Sequence, residues 1–247
     1  MFLINPYAFG GYTALGVNFD GSNDWLVRGS AGTNFTGISD GTEITCSFWF
    51  KPVDSGGGSR RLFTNSDDSF YIEQTDAELI NVFVGSTTGA TLCFCRSSAL
   101  SYDVWNHVAF SFDAGTATPQ LYINGSSDLT NIDTPATGTI NLNSSTGTPS
   151  VGAAANGADK TTSDMADIWF GTTRLDWSDS AVMAKFRTVA GKPVNLGADG
   201  STPTGSAPIG YFSRRDTVAS SFATNKGTGG GMTINGTLTN SSTSPST

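Results

Sequence analysis

The sequence predicts an all-β protein: a two-sheet antiparallel β-sandwich with one short helix and an extended C-terminal arm. Gly, Ser and Thr together fill 93 of the 247 positions, which favours many turns and short strands. Only three residues are Glu and 14% are charged, so long helices are disfavoured. The 16 Phe, 5 Trp and 6 Tyr supply enough apolar surface for a core, which argues against a disordered chain.

The clearest strand lies at residues 43–51, where apolar and polar side chains alternate. One face carries Ile44, Cys46, Phe48 and Phe50, and the other carries Thr45, Ser47, Trp49 and Lys51. Turns rich in Gly, Asp and Asn separate the other candidate strands. These are 14–19, 25–28, 61–64, 69–73, 79–84, 91–96, 105–113, 120–124 and 165–171, with weaker candidates at 138–142 and 150–152.

One helix is predicted after the last strand of the sandwich. Ser178 or Asp179 can cap it, it runs through Arg187, and Gly191 and Pro193 end it. Beyond it, residues 192–247 are rich in Gly, Ser, Thr and Pro with sparse apolar anchors, which predicts an ordered arm frayed at 239–247. The predicted organisation is a docking segment at 1–13, a sandwich at 14–175, and a helix and arm at 176–247. The arm would pack on the sandwich or on a neighbouring subunit, since 183–247 hold six Lys and Arg against two Asp in an otherwise acidic chain.

Charge and hydropathy restrict the partners and the cellular location that we expect for the protein. A net charge of -8 and a pI near 4.4 argue against nucleic acid as a partner. No stretch is apolar enough to span a membrane, and the first residues lack the basic and apolar regions of a signal peptide. We therefore expect synthesis in a cytosol without N-terminal secretion.

The residues that could carry catalysis are few, and we expect no enzyme. His107 is the single histidine and lies in a strand pattern, where a structural role is favoured over a Ser–His–Asp triad. Glu73, Asp76 and Glu78 form the nearest approach to a carboxylate pair, but Glu73 and Asp76 are three residues apart and would point to opposite sheet faces. Cys93 and Cys95 would share one face at the edge of disulfide geometry, and Cys46 is expected in the core.

Five segments occur in an order that resembles a known family. They are 18–25 (NFDGSNDW), 44–52 (ITCSFWFKP), 105–113 (WNHVAFSFD), 121–125 (LYING) and 166–170 (ADIWF). Residues 14–171 resemble the laminin-G-like, concanavalin A-like jelly roll of the lectin/glucanase superfamily. The resemblance implies a jelly-roll sandwich.

The remaining residues are similar to a narrower group. Segments 185–208 (KFRTVAGKPVNLGADGSTPTGSAP), 225–231 (NKGTGGG) and 237–245 (TLTNSSTSP), with the opening 4–10 (INPYAFG), look like laminin-G-like structural proteins of tailed bacteriophages and prophages. This resemblance implies a virion component, either capsid decoration or tail fibre, that contacts other virion proteins, forms a homo-oligomer and presents a lectin-like domain to host-surface glycans. A purely structural protein and a polysaccharide depolymerase are the alternatives.

Two sites are predicted on this basis. Asp20, Asn23 and Asp24 could hold a structural Ca²⁺ with Asp167, if the first and last strands pair as in the family; the alternative is an ordinary Asp/Asn turn. Trp49 could stack on a glycan, because its neighbours occupy the opposite strand face; the alternative is that the arm or another subunit covers it. Trp177 is expected to pack against the sandwich.

Overall fold

The computed structural model describes residues 12–30, 32–53, 57–65 and 69–247. Within this part the chain forms sixteen strands, one helical turn and one 3-10 segment. The strands are β1 Val17–Asp20, β2 Trp25–Val27, β3 Glu43–Pro52, β4 Arg60–Asn65, β5 Phe70–Gln74, β6 Ile80–Gly85, β7 Thr91–Arg96, β8 Asn106–Asp113, β9 Thr118–Ile123, β10 Ser126–Ser127, β11 Thr130–Asn131, β12 Ser150–Val151, β13 Thr162–Gly171, β14 Gly210–Phe212, β15 Thr233–Asn235 and β16 Thr239–Asn240. Helix α1 is Ser180–Met183, and the 3-10 segment is Ala219–Ala223.

The strands form two antiparallel sheets. The first sheet has the order β10-β9-β8-β3-β13-β1-β16, with β14 also paired to β13. The second has the order β11-β7-β6-β5-β4-β12-β2-β15. This arrangement confirms the predicted all-β sandwich, in which two inner faces enclose one core.

The core between the sheets follows the predicted alternation of β3. Ile44, Cys46, Phe48 and Phe50 are all fully buried. Aromatic rings join the two sheets: Phe63 lies 5.1 Å from Phe170 and Phe70 lies 6.1 Å from Phe110, centroid to centroid. Burying such rings supplies most of the favourable free energy of a sandwich.

The opposite face of β3 is also buried. Trp49 is 3% exposed, and Thr45, Ser47 and Lys51 are buried beside it. A second apolar cluster lies on this outer face of the first sheet, where Ala109 and Trp169 flank Ser47 in the two neighbouring strands. It contains Ala109, Trp169, Trp177, Phe186, Leu196 and Tyr211, four of which come from residues 176–247.

A β-bulge in β13 helps to build this cluster. Ala166 pairs with Trp49 but Trp169 pairs with Ser47, so β13 carries one extra residue there. Asp167 adopts φ = +49°, a left-handed conformation that is uncommon for residues other than glycine. The bulge places Trp169 in the outer cluster and Ile168 in the core.

The C-terminal residues extend both sheets. Strand β16 pairs with β1 in the first sheet, and β15 pairs with β2 in the second. The fraying predicted at 239–247 is wrong: Ser244 is buried and its hydroxyl donates to the carbonyl of Ala14 at 2.6 Å. The side chain of Trp105 donates to Thr243 at 3.0 Å.

The helix is shorter than predicted. Asp179 caps it by accepting a hydrogen bond from the backbone of Ala181, but α1 ends at Met183. The backbone continues with i+3 bonds at Lys185 and Phe186, and the Phe186 ring packs edge-on against Trp177. We attribute the early end to this docking of Phe186 into the outer cluster. The weak strand candidate at 138–142 is only a pair of isolated bridges at Ile140.

Candidate functional site

The predicted calcium ligands are separated in the structure. Asp20 lies opposite Thr162 in the pairing of β1 with β13, and Asp167 lies five residues further along β13, about 16 Å away at strand spacing. The prediction that Asp167 joins Asp20, Asn23 and Asp24 is therefore wrong. The described residues contain no group of three or more His, Cys, Asp or Glu side chains placed to hold a metal.

The carboxylates of this turn instead accept backbone hydrogen bonds. Oδ1 of Asp20 accepts from the N–H groups of Ser22 at 2.7 Å and Asn23 at 3.0 Å. Desolvation acts to raise the pKa of Asp20, but the backbone hydrogen bonds together outweigh it and lower the pKa. Asp24 accepts from the N–H of Thr237 at 2.6 Å and so ties the turn to the C-terminal residues.

Asp167 lies in a buried polar group of its own. The hydroxyl of Tyr12 donates to both of its carboxylate oxygens, at 2.9 and 2.7 Å. Burial raises the pKa of Asp167, although hydrogen bonds from Tyr12 and Ser213 favour its charged form. The predicted docking segment at 1–13 lies outside the described residues except for Tyr12 and Thr13; Tyr12 is anchored here.

Trp49 offers no ring face to a glycan. A stacking platform must be exposed, whereas Trp49 is 3% exposed and its ring lies 5.1 Å from that of His107. The prediction that Trp49 stacks on a glycan is therefore wrong, and the alternative, a covered Trp49 that packs within the protein, is the one that the structure shows. Trp177 is likewise 1% exposed and packs in the outer cluster as predicted.

His107 has a structural environment. It is fully buried in β8, and its Nε2 shares a 2.8 Å hydrogen bond with the hydroxyl of Ser47. Burial, with a smaller effect from the positive charge of Arg187, lowers its pKa to about 3. The ring is therefore neutral, and its buried Nδ1 has no hydrogen-bond partner.

The acidic residues near the end of β5 are engaged separately. Glu73 pairs with Arg61 at 2.7 Å and accepts from Asn81 at 3.0 Å. Glu78 lies in the turn to β6 and accepts from Gln74 and Tyr102. Cys46, Cys93 and Cys95 are free and buried.

The outer face of the second sheet carries an aromatic ladder that the sequence analysis did not single out. Tyr71 and Phe83 stack at 5.1 Å, and Phe94 meets Phe83 edge-on at 6.1 Å. The guanidinium of Arg61 lies 3.4 Å from the centre of the Tyr71 ring. Both faces of Tyr71 therefore have partners within the protein, which makes the ladder a poor stacking platform.

A pocket of about 240 Å³ lies where the β9–β10 hairpin meets the segment around α1. We call it the Arg187 pocket. Its walls include the half-buried ring of Tyr122, the buried ring of Trp177 and the fully exposed side chain of Val189. Ser178, Ser180 and Thr188 add hydroxyl groups, and Arg187 is the one charged side chain of the lining. Apolar walls with a few polar groups are typical of small-molecule sites.

The tight turn of the hairpin forms one wall. Asn124 and Gly125 both have positive φ, as a two-residue turn between antiparallel strands requires. Oδ1 of Asn124 accepts from the backbone N–H of His107 at 3.0 Å, which fixes the turn on β8. The predicted strand 120–124 ends at this Asn-Gly pair, but the sequence contained no sign that Arg187, more than sixty residues away, packs against the turn.

The two-sheet jelly-roll architecture and the pocket on its outer side define a lectin-like sandwich. Residues 20–179 match the family model of the concanavalin A-like lectin/glucanases superfamily. The chain belongs to this superfamily. None of the curated proteins matches it.

Solved structures of similar fold have low sequence identity to this chain. A proposed carbohydrate-binding protein from Bacteroides ovatus is 15% identical with a TM-score of 0.61; the match covers 94% of this chain and 62% of that one. The heptameric SAP-like pentraxin of Limulus polyphemus is 14% identical, with a TM-score of 0.48 and coverages of 67% and 79%. This chain thus spans less than two thirds of the length of the Bacteroides protein.

No helix in the described ranges has the length and apolar character needed to cross a membrane.

Proposed function

We propose that this chain is a non-enzymatic, lectin-like domain of a tailed-phage virion protein and that it binds a saccharide in the Arg187 pocket. The observation that carries the proposal is the composition of that pocket, with one partly exposed aromatic ring, apolar walls and hydroxyl groups on a lectin-like sandwich. The description of the Bacteroides protein as carbohydrate binding supports the same ligand class.

The chemistry of the pocket suits a sugar ring. A pyranose has an apolar face of C–H groups, for which Tyr122 and Val189 provide contact, and hydroxyls, for which Ser178, Ser180 and Thr188 provide partners. A volume of about 240 Å³ is below the roughly 300–1,000 Å³ of sites for drug-sized molecules, so one sugar unit is the fitting occupant.

Binding without hydrolysis is favoured by the positions of the carboxylates. A glycosidase needs two carboxyl groups flanking the scissile bond. No carboxylate lines the Arg187 pocket. Glu73, on β5 of the other sheet, is held by Arg61 and Asn81, and Glu78, in the turn after β5, is held by Gln74 and Tyr102. A depolymerase would require a different site.

The virion role rests on the similarity of the C-terminal segments to laminin-G-like phage proteins. The short strands β15 and β16 tie the C-terminal residues to the two sheets, which suits a stable component of an extracellular particle. Repeated copies on a particle would convert weak single-site binding to host glycans into avidity. A purely structural protein without a ligand is the alternative.

Two measurements test this function. Binding of the purified chain to an array of bacterial surface glycans should identify a saccharide whose affinity falls about tenfold in Tyr122→Ala, equivalent to about 1.4 kcal/mol of binding free energy. Ile132→Ala is the matched control, because it removes an exposed apolar side chain outside the pocket. Absence of binding to every host glycan would favour the purely structural role, and mass spectrometry of purified virions tests the virion assignment separately.

A further inference from the structure

We infer that the saccharide bound in the Arg187 pocket is acidic, and that Arg187 binds its carboxylate or sulfate group. This inference rests on the proposed function, because it names the ligand class of the same pocket. It starts from the charge of the lining, which is one guanidinium with no acidic side chain beside it.

The guanidinium lacks compensation from the protein. The ion pairs found in the described ranges are Lys51–Asp164 and Arg61–Glu73, and Arg187 belongs to neither. Its Nε is buried and has no hydrogen-bond partner. Partial burial also lowers the pKa of Arg187. A partly desolvated cation without an ion-pair partner is unfavourable, so an anion that enters the pocket would reduce this cost.

The nearest acidic residues on the same segment are already engaged. Asp176 accepts from the side chains of Gln120 at 2.8 Å and Ser178 at 2.7 Å. Asp179 caps α1 through Ala181. Neither lines the pocket, and a ligand anion would therefore have no competitor there for Arg187.

Two glycines make room for the guanidinium. A Cβ atom on Gly125 would lie 3.2 Å from Nη1 of Arg187, and one on Gly191 would lie 2.9 Å from Nη2. Both glycines have positive φ, +82° and +77°, which a side chain would strain. The turns on both sides are thus shaped around the arginine head group, which fixes it at the pocket wall.

A second hydrogen-bond donor without a partner lies in the wall of the same pocket. The indole Nε1 of Trp177, a residue of the pocket wall, is buried without a hydrogen-bond partner. His107 lies near enough for the charge of Arg187 to lower its pKa, and because it is neutral it adds no second positive charge to that of Arg187. Guanidinium binds carboxylate and sulfate through two parallel N–H bonds, which a neutral sugar hydroxyl cannot match.

The test compares ligands that differ only in charge. Calorimetry with the full chain would use a panel of short oligouronates, the same oligosaccharides with their carboxyl groups reduced, and sulfated neutral oligosaccharides. We expect an oligouronate or a sulfated sugar to bind at least tenfold more tightly than its neutral counterpart, and the comparison of these two arms identifies the acidic group.

Variants locate the effect. Arg187→Met should weaken binding of the acidic ligand at least tenfold and leave the affinity for the neutral counterpart unchanged. Arg187→Lys should lose part of the affinity for the acidic ligand, because an ammonium cannot donate two parallel N–H bonds as a guanidinium does. Lys185→Met is the matched control: it removes the same charge outside the pocket and should change affinity less than twofold. Melting temperatures establish that each variant is folded.

Three results would overturn the inference. Equal binding of neutral and acidic sugars by the wild type would do so while leaving the saccharide-binding function intact. Unchanged affinity in a folded Arg187→Met would place the acidic group elsewhere. Binding to no sugar of either kind would remove both the inference and the proposed function.

Discussion

His107 should make the folded protein sensitive to mild acid. Burial holds its pKa at about 3, whereas a histidine in the unfolded chain titrates near 6.5. Below about pH 6.5 the unfolded chain therefore binds a proton that the folded protein does not, and the free energy of unfolding falls as the pH falls. The loss continues until the pH approaches 3.

The magnitude follows from the difference between pH and the unfolded pKa. A pH of 5 lies about 1.5 units below the pKa of the histidine in the unfolded chain. The free energy of unfolding is therefore about 2 kcal/mol lower at pH 5 than at pH 7.5. His107 is the single histidine of the chain, so its contribution to this window can be separated from that of the other groups.

Urea unfolding followed by tryptophan fluorescence at pH 5 and 7.5 measures the effect. The wild type should lose about 2 kcal/mol at the lower pH, and His107→Gln should show no such loss. An equal loss in both proteins would refute the reasoning, because the acid sensitivity would then come from a group other than His107.

Three further predictions concern the bulge, the outer cluster and the pocket. Burial raises the pKa of Asp167, so its contribution to stability is present below about pH 4, the pKa of an unfolded aspartate, and is lost as the pH rises through the raised pKa of the folded protein. Asp167→Asn, which tolerates φ = +49°, should remove this slope in urea titrations that start at about pH 4. Trp177→Ala should cost about 3–5 kcal/mol of unfolding free energy, since its ring packs 5.0 Å from Phe186; a loss below 1 kcal/mol would contradict the packing. Gly125→Ala should cost about 1 kcal/mol in a thermal melt and weaken saccharide binding by displacing Arg187; unchanged affinity would show that the turn does not position the guanidinium.

The core could be predicted because local periodicity determines it. The alternation of Ile44, Cys46, Phe48 and Phe50 identifies the inner face of β3 from sequence alone, and all four are buried. The same periodicity assigns Trp49 to the other face but cannot reveal whether another segment covers that face. The outer cluster on that face includes residues from more than a hundred positions away, such as Trp177 and Phe186, and its assembly is a property of the tertiary fold.

The arrangement of the site could not be predicted, because it depends on strand register and long-range packing, which the sequence pattern does not encode. The calcium prediction for Asp167 failed because β13 pairs with β1 in a register that separates it from Asp20, and a bulge then turns it into a buried group with Tyr12. Arg187 was read only as the end of a helix. Gly191 was expected only to end the helix, and the fact that Gly125 and Gly191 share Arg187 as a neighbour is visible only in three dimensions.

The indole N–H resonances of the five tryptophans provide the most direct test of saccharide binding at the Arg187 pocket. Trp177 lies in the wall of the pocket, whereas Trp25 lies on β2 in the second sheet. A ¹H–¹⁵N titration with the saccharide selected by the glycan array should shift the Trp177 resonance and leave that of Trp25 in place. Shifts at Trp25 with none at Trp177 would contradict the assignment of the Arg187 pocket as the binding site.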